Sequence, residues 1–250
     1  MGIIEAQNLK KYYRINVEEY VPAIKGIDAI NIAEGEFVCI MGPSGSGKST
    51  LLNILTTIDA PTKGEVKIND ASIYLLSETT LSKLRYAYFG FIFQELNILM
   101  ELSIYDNIAI PLIMARIPKT AIQERIEKVA DEVGIVDILH KMPSECSGGQ
   151  LQRVAVARAM ITNPKIIVAD EPTGNLDAKT SDKILTLFKG LHQNKKTILL
   201  VTHDCYVASY ASRVLYLKDG RIECELIKEK QSQKTFFDQI VKLNASELEG

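Results

Sequence analysis

No run of the chain approaches the roughly 18 uncharged apolar residues that a membrane-spanning helix needs. The first residues carry no apolar stretch of the kind that a secretory signal uses, so the expected location is the cytosol. A strong charge of one sign is also missing: 29 Lys and Arg stand against 31 Asp and Glu, a formal net charge of −2. That balance speaks against a general nucleic-acid-binding surface, although it allows a local basic patch. Cysteine is scarce. Cys39, Cys146, Cys205 and Cys224 lie far apart with no C-x-x-C pair, which points to thiols in a reducing compartment rather than to zinc or disulfides. In that compartment the sequon Asn244-Ala-Ser246 goes unused. Repeats and low-complexity tracts are absent too. What remains is 250 residues, 46% apolar and 24% charged, enough for one large core or two modest subdomains.

The most informative stretch runs from Gly42 to Thr50. It satisfies G-x-x-x-x-G-K-[ST] in full through Gly42, Gly47, Lys48 and Ser49, with Pro43, Ser44, Gly45, Ser46 and Thr50 completing the loop. The apolar run from Glu36 to Met41 predicts a buried strand before it, and Leu51, Leu52, Ile54 and Leu55 predict a helix after it. A strand feeding a Gly-rich turn and a helix N-terminus gathers unpaired N–H groups around one point, which suits a phosphate chain. Lys48 is then expected to reach the β- and γ-phosphates, and the Ser49 hydroxyl to ligate Mg²⁺. The chain is expected to bind a nucleoside triphosphate.

Around this loop the pattern is that of an α/β protein. The first forty residues alternate short apolar runs (Ile3-Ile4, Ile24 to Ile32, Phe37 to Met41) with turn residues, predicting a strand-rich lobe that leads into the loop. Gly64 to Asn69 alternates with period two. Between about Gln94 and Ser147 helical spacing takes over, with Ile122, Ile126, Val129, Ala130 and Val133 on one face. Thr120 and Gln123 predict a capping box at its start and Gly134 a C-terminal stop. Ile166–Ala169 and Thr197–Thr202 then read as central parallel strands joined by a crossover helix from Ala178 to Leu191. In the polar tail, Phe236, Phe237, Ile240, Val241 and Leu243 share much of one helical face, so the tail is expected to dock.

Further chemistry sits on these elements. The strand from Ile166 ends in Asp170 and Glu171, about 120 residues after the loop. The first carboxylate suits Mg²⁺, and the second suits orientation and polarisation of a water that attacks the γ-phosphate. Ser147-Gly-Gly-Gln150, ahead of a helical run, offers a second set of hydroxyl and backbone donors for an anion. His203 is one of three histidines and follows an apolar strand, where a neutral imidazole can bond a γ-phosphate. Gln94 stands where an amide can bridge Mg²⁺ or water to the helical insert. His140 and His192 read as surface residues, and Arg153 and Arg158 as stabilising their own helix.

These motifs resemble the nucleotide-binding subunit of ATP-binding-cassette transporters, over about residues 1–228. The resemblance implies an ABC-type P-loop NTPase: a mostly parallel core sheet, an N-terminal antiparallel β lobe and a helical insert at about 95–155, with 229–250 as a C-terminal helical extension. It makes Glu171 and His203 catalytic, gives Mg²⁺ to Ser49, Gln94 and Asp170, and offers Ser147, Gly148, Gly149 and Gln150 to the ATP of a partner protomer. Asn175 and Asp177 fall in the loop that crosses the dimer interface. Tyr13 is matched to the aromatic that stacks on adenine, with Tyr12 and Tyr20 as rivals because the stretch from Tyr13 to Gly26 is about one residue longer than in close relatives. The signature opens with Cys146 where leucine is usual, but its Ser-Gly-Gly-Gln core is intact, so activity is expected to survive.

The same resemblance implies a head-to-tail homodimer with two ATP molecules between protomers, on the inner face of the membrane beside a permease, with no nucleic-acid partner. Gly90-Phe-Ile-Phe-Gln94, Ser103 to Ile108 and Asp170 to Asp177 resemble the branch that serves lipoprotein release, macrolide export and antimicrobial-peptide resistance. The tail from Lys234 to Lys242 resembles that of bacitracin and lantibiotic resistance ATPases, whose permeases commonly work with a sensor kinase. Other readings stay open: another system of this branch, a cell-division or cell-wall regulator, or a soluble DNA-repair or translation ATPase. The last usually carries coiled coils, zinc pairs or two cassettes, and none is present here.

Overall fold

The computed structural model describes residues 2–16 and 19–249. Met1 and Gly250, the outer ends of the expected cassette and extension, lie outside the described residues, as do Val17 and Glu18 in the stretch between Tyr13 and Gly26. The chain begins with β1 (Gly2–Arg14), β2 (Tyr20–Ala33), β3 (Phe37–Met41) and α1 (Lys48–Leu55). β4 (Lys63–Ile68), β5 (Ala71–Ser72), α2 (Glu78–Tyr88) and β6 (Phe89–Ile92) follow. The helical stretch holds α3 (Ile104–Met114), α4 (Lys119–Val133) and α5 (Gly148–Met160). β7 (Ile166–Asp170), α6 (Ala178–Gln193), β8 (Thr197–Thr202) and α7 (Cys205–Ala208) come next. β9 (Arg213–Lys218), β10 (Arg221–Ile227) and α8 (Gln233–Glu249) close the chain.

Two sheets result. One is antiparallel in the order β2-β1-β4-β5; the other runs β10-β9-β3-β8-β7-β6, parallel except for the antiparallel edge strand β10. The strand before the phosphate loop does not join the antiparallel lobe that its position in the first forty residues suggested. β3 sits inside the parallel sheet between β9 and β8, and all five of its residues are buried. Its alternation explains the placement: Phe37, Cys39 and Met41 face the core under the helices, whereas Val38 and Ile40 face the core shared with α1 and the antiparallel sheet. β7 and β8 divide their side chains between the same two cores. A strand buried on both faces reads as a continuous apolar run, as these do.

Helix boundaries follow local chemistry with one exception. α6 starts at Asp177, whose carboxylate accepts from Thr180 N, and α4 stops at Gly134 in the left-handed region at φ 69°. The expected capping box of Thr120 and Gln123 does not form. α4 starts two residues earlier, after Pro118, so Thr120 lies inside the first turn and Gln123 Nε2 donates instead to Glu127 Oε1 at 2.9 Å. The tail docks on its own chain: α8 buries Phe236 and Ile240 fully and packs Leu243 against the same core, while Val241 stays exposed. Among the described residues no helix is long and apolar enough to cross a membrane.

Candidate functional site

The parallel register brings distant residues to one edge. Met41 lies opposite Thr202 and Tyr216, and Asp170 opposite Val201, so β3, β7 and β8 end together. Ligands of open α/β sheets bind at such carboxyl ends. The loop after β3 is held close to the sheet. A Cβ on Gly42 (φ 155°) would lie 1.9 Å from Leu217 O, and one on Gly47 (φ 101°) would lie 2.6 Å from Ala23 O. Only glycine fits at either place.

Gly47 is the N-cap of α1 and offers no side chain to its first N–H groups, which leaves those donors for an anion. Lys48 Nζ donates to Gly42 O at 2.9 Å and Pro43 O at 2.8 Å, folding back over the loop. Burial lowers the pKa of this ammonium, opposed by the charges of Glu171 and Asp170. Ser46 Oγ is buried with no hydrogen-bond partner among the described residues. An uncapped helix start, a lysine and an orphaned hydroxyl fit a polyphosphate.

Ser49 lies beside Asp170 and favours its charged form. Burial raises the Asp170 pKa, helped by the Glu171 charge and opposed by Ser49 and Lys48. Among the described residues no three His, Cys, Asp or Glu side chains form a ready cage for a metal. One hydroxyl and one carboxylate suit Mg²⁺, which keeps waters and takes its remaining ligands from substrate phosphates.

Glu171 has a left-handed backbone (φ 46°), anchored by its N–H to Val201 O at 2.9 Å. Its carboxylate accepts from Thr202 Oγ1 at 2.9 Å and His203 N at 3.0 Å, and lies 2.7 Å from His203 Nδ1. The carboxylate is mostly buried and the imidazole mostly exposed. Such a pair can take and pass a proton at the mouth of the loop. The Gln94 Nε2 stands 3.9 Å from where a Cβ on Gly174 would lie, beside the turn in which Gly174 N donates to Glu171 O.

Tyr13 ends β1. Its hydroxyl donates to Asp59 Oδ2 at 2.8 Å, and the Lys11 ammonium sits 4.9 Å from its ring centre. Lys11 in turn bonds Asp59 Oδ1 at 2.6 Å and Ala60 O at 2.7 Å. Burial raises the Asp59 pKa, but the bonds from Lys11 and Tyr13 outweigh it and hold the carboxyl below its usual value. Tyr12, on the other side of the pleat, gives its N–H to Thr62 Oγ1, and Tyr20 pairs with Arg14 across the strand.

The remaining expected residues form a second group. Ser147 caps α5 in a reciprocal box: its Oγ accepts from Gln150 N at 3.3 Å, and Gln150 Oε1 accepts from Ser147 N at 2.8 Å. A Cβ on Gly149 would lie 2.4 Å from Thr180 Cγ2, so the starts of α5 and α6 abut, whereas nothing lies within 4 Å of a Cβ on Gly148. Asp177 accepts from Thr180 N at 3.0 Å, and the neighbouring Asn175 is exposed. Among the described residues no hydrogen bond or ion pair links Ser147–Gln150 to Lys48, Asp170 or Glu171.

Cys146 is half-buried, its Sγ 3.6 Å from Met142 O. His140 is exposed, and His192 meets Phe37 edge-on. Both arginines on α5 reach beyond their own helix. Arg153 Nη1 donates to Val133 O at 3.1 Å, and Arg158 donates to Leu96 O and Asn97 O, bracing the segment after Gln94. Sequence reasoning overlooked Thr202, Lys11 and Asp59. Thr202, adjacent to His203, was within reach of motif reading; Lys11 and Asp59 were not, because they meet Tyr13 only in space.

Residues 27–174 match the family described as "ABC transporter". A bacitracin export ATP-binding protein, BceA, from Halalkalibacterium halodurans is 46% identical over 97% of this chain and 95% of its own. An uncharacterized ABC transporter ATP-binding protein of Methanocaldococcus jannaschii, MJ0796, is 43% identical over 89% of this chain and 96% of its own. The solved dimer of that bacterial ABC transporter cassette matches with a TM-score of 0.83 at 42% identity, covering 91% of this chain and 100% of that one. A dimeric post-hydrolysis state of the same cassette, bound to ADP and Pi, matches with a TM-score of 0.83 at 41% identity.

Proposed function

The chain belongs to the ABC transporter family, as an ATP-hydrolysing cassette, and from that premise we propose that it is the motor of a membrane transporter that protects against or exports antimicrobial peptides. The observation that carries the motor reading is the shared strand edge, where Lys48, Ser49, Asp170, Glu171 and His203 converge. Lys48 and the loop N–H groups from Gly42 to Thr50 hold the β- and γ-phosphates, and Tyr13 stacks on adenine. Ser49, Asp170 and Gln94 hold Mg²⁺, which supplies charge neutralisation on the phosphates. Glu171 aligns and polarises the attacking water, and His203 bonds the γ-phosphate.

Two chains pair head to tail, and each contributes Ser147, Gly148, Gly149 and Gln150 to its partner's ATP, with Asn175 and Asp177 along the seam. The separation of Ser147–Gln150 from Lys48 within one chain, and the open space at Gly148, support that division of labour. Loss of the shared γ-phosphate then releases the dimer. Residues 1–228 form the cassette, and 229–250 extend it.

The permease meets the insert, where Leu99, Met100, Ile113 and Met114 are exposed. Exposed apolar side chains of this size suit a protein partner. The cassette therefore works from the cytoplasmic face. The peptide-resistance reading is supported by the near full-length identity to the bacitracin export protein. A pull-down from host membranes with tagged Glu171→Gln protein, with and without ATP, tests it. A co-purifying permease of about ten spans with a large extracellular domain is the expected result; a four-span partner, or soluble partners alone, overturns it.

A further inference from the structure

His203 is followed by Asp204, the N-cap of α7, whose Oδ1 accepts from Tyr206 N at 2.6 Å and Val207 N at 3.3 Å. α7 is four residues long, too short to hold its place by internal hydrogen bonds. Its neighbours hold it. Tyr206 Oη donates to Asp182 Oδ1 of α6 at 2.9 Å and lies 3.1 Å from Tyr210 Oη. The bonds to Tyr210 and Asp182 push this phenol above the usual tyrosine value, so it stays a donor.

The Tyr206 ring meets Tyr210 edge-on at 5.5 Å and Phe237 of α8 at 6.3 Å. α8 also bonds the end of α7 through Gln233 Nε2 to Ser209 Oγ at 3.2 Å, and it buries Phe236 and Ile240 in one core with Val207 and Ala208. All three partners of the Glu171 carboxylate belong to Thr202 and His203, which lie just ahead of α7. A shift of α7 therefore moves the backbone that aims both Glu171 and His203.

We propose that Tyr206 is a positioning residue for ATP hydrolysis and that α8 is the brace that seats it. The inference rests on the reading of Glu171 and His203 as the hydrolytic pair. Tyr206 fixes α7 against α6, and α8 closes over the joint, so the C-terminal extension belongs to the machinery of the cassette. Because α6 starts at Asp177, the interface loop and the His203 pivot share this joint. The phosphate loop is held separately, by the Gly220 N–H donated to Ser46 O at 3.0 Å, and is not expected to feel its loosening.

Tyr206→Phe in the full chain removes the hydroxyl bonds and keeps the ring; Phe237→Ala removes the ring contact from the α8 side. Steady-state ATPase assays and NMR of histidine-labelled protein read the effect, with His203 assigned by substitution among the three histidines. Each variant is expected to lower kcat about three- to tenfold, with KM for ATP within about twofold. The His203 ring signals move while those of His140 and His192 stay. A kcat within about twofold of the parent value, an unmoved His203 signal, or a loss carried wholly by KM overturns the proposal. Should Phe237→Ala fail to fold, Tyr206→Phe decides alone, since it removes a single oxygen atom. Turnover retained in Glu171→Gln would instead sink the reading of the pair itself, so the two failures are told apart.

Discussion

Two helix starts in this chain are prepared for an anion in opposite ways. α1 begins at a left-handed glycine with no side chain on its leading N–H groups, next to a lysine that, among the described residues, bonds carbonyls of its own loop. α5 begins at Ser147, whose hydroxyl and N–H are both engaged with Gln150, and only Gly148 faces open space. The first is an open cradle with donors in excess, able to gather a phosphate chain alone. The second has fewer free donors, because its box already engages Ser147 N and Gln150 N. It has little to gain from a free ligand and is suited to meeting a phosphate that another surface presents. On the proposed reading, the difference explains how one motif suffices for binding while the other serves turnover.

The largest expected effect tests the cradle's chemistry rather than its grip. Glu171→Gln should slow ATP hydrolysis about 100- to 1000-fold and leave ATP binding within a few-fold, trapping an ATP-bound dimer visible by size-exclusion chromatography. Rapid steady hydrolysis by this variant would remove Glu171 from its role. Lys48→Ala comes next. Loss of a charged donor to phosphate should weaken ATP about 30- to 100-fold in a direct binding assay, and unchanged affinity would count against the cradle.

Ser147→Ala breaks the second helix start. It should cost about 1 kcal/mol of stability through the lost cap and slow turnover about tenfold, with the ATP affinity of an isolated protomer unchanged. If it weakened protomer binding as Lys48→Ala does, both starts would serve one nucleotide and the contrast would collapse. Tyr13→Ala should raise KM for ATP about three- to tenfold, and Tyr12→Ala should leave it alone. The reverse ranking would move adenine to the other face of β1.

Much of the cradle was legible because its rules are local. The loop motif, the strand before it, the helix after it, the crossover helix and the Gly134 stop all follow from spacing, glycine and capping chemistry within a few residues. Locality also misled. Thr120 and Gln123 had the capping pattern, but α4 starts two residues sooner, after Pro118. Arg153 and Arg158 sat on a helix and were read as serving it, yet they clasp carbonyls at the end of α4 and after Gln94.

By itself, then, the sequence determined the strand before the phosphate loop, the helix after it, the crossover helix and which residue types are suited to phosphate chemistry, since these depend on neighbours along the chain. Tertiary structure decided which of those residues meet. Strand pairing seated β3 between β9 and β8 and aligned Met41 with Thr202. The pleat separated Tyr13 from Tyr12, and burial of Phe236 and Ile240 set α8 against α7 behind His203. Each of these depends on contacts between segments distant in the chain, settled when two apolar faces close on each other, and no local pattern encodes the partner.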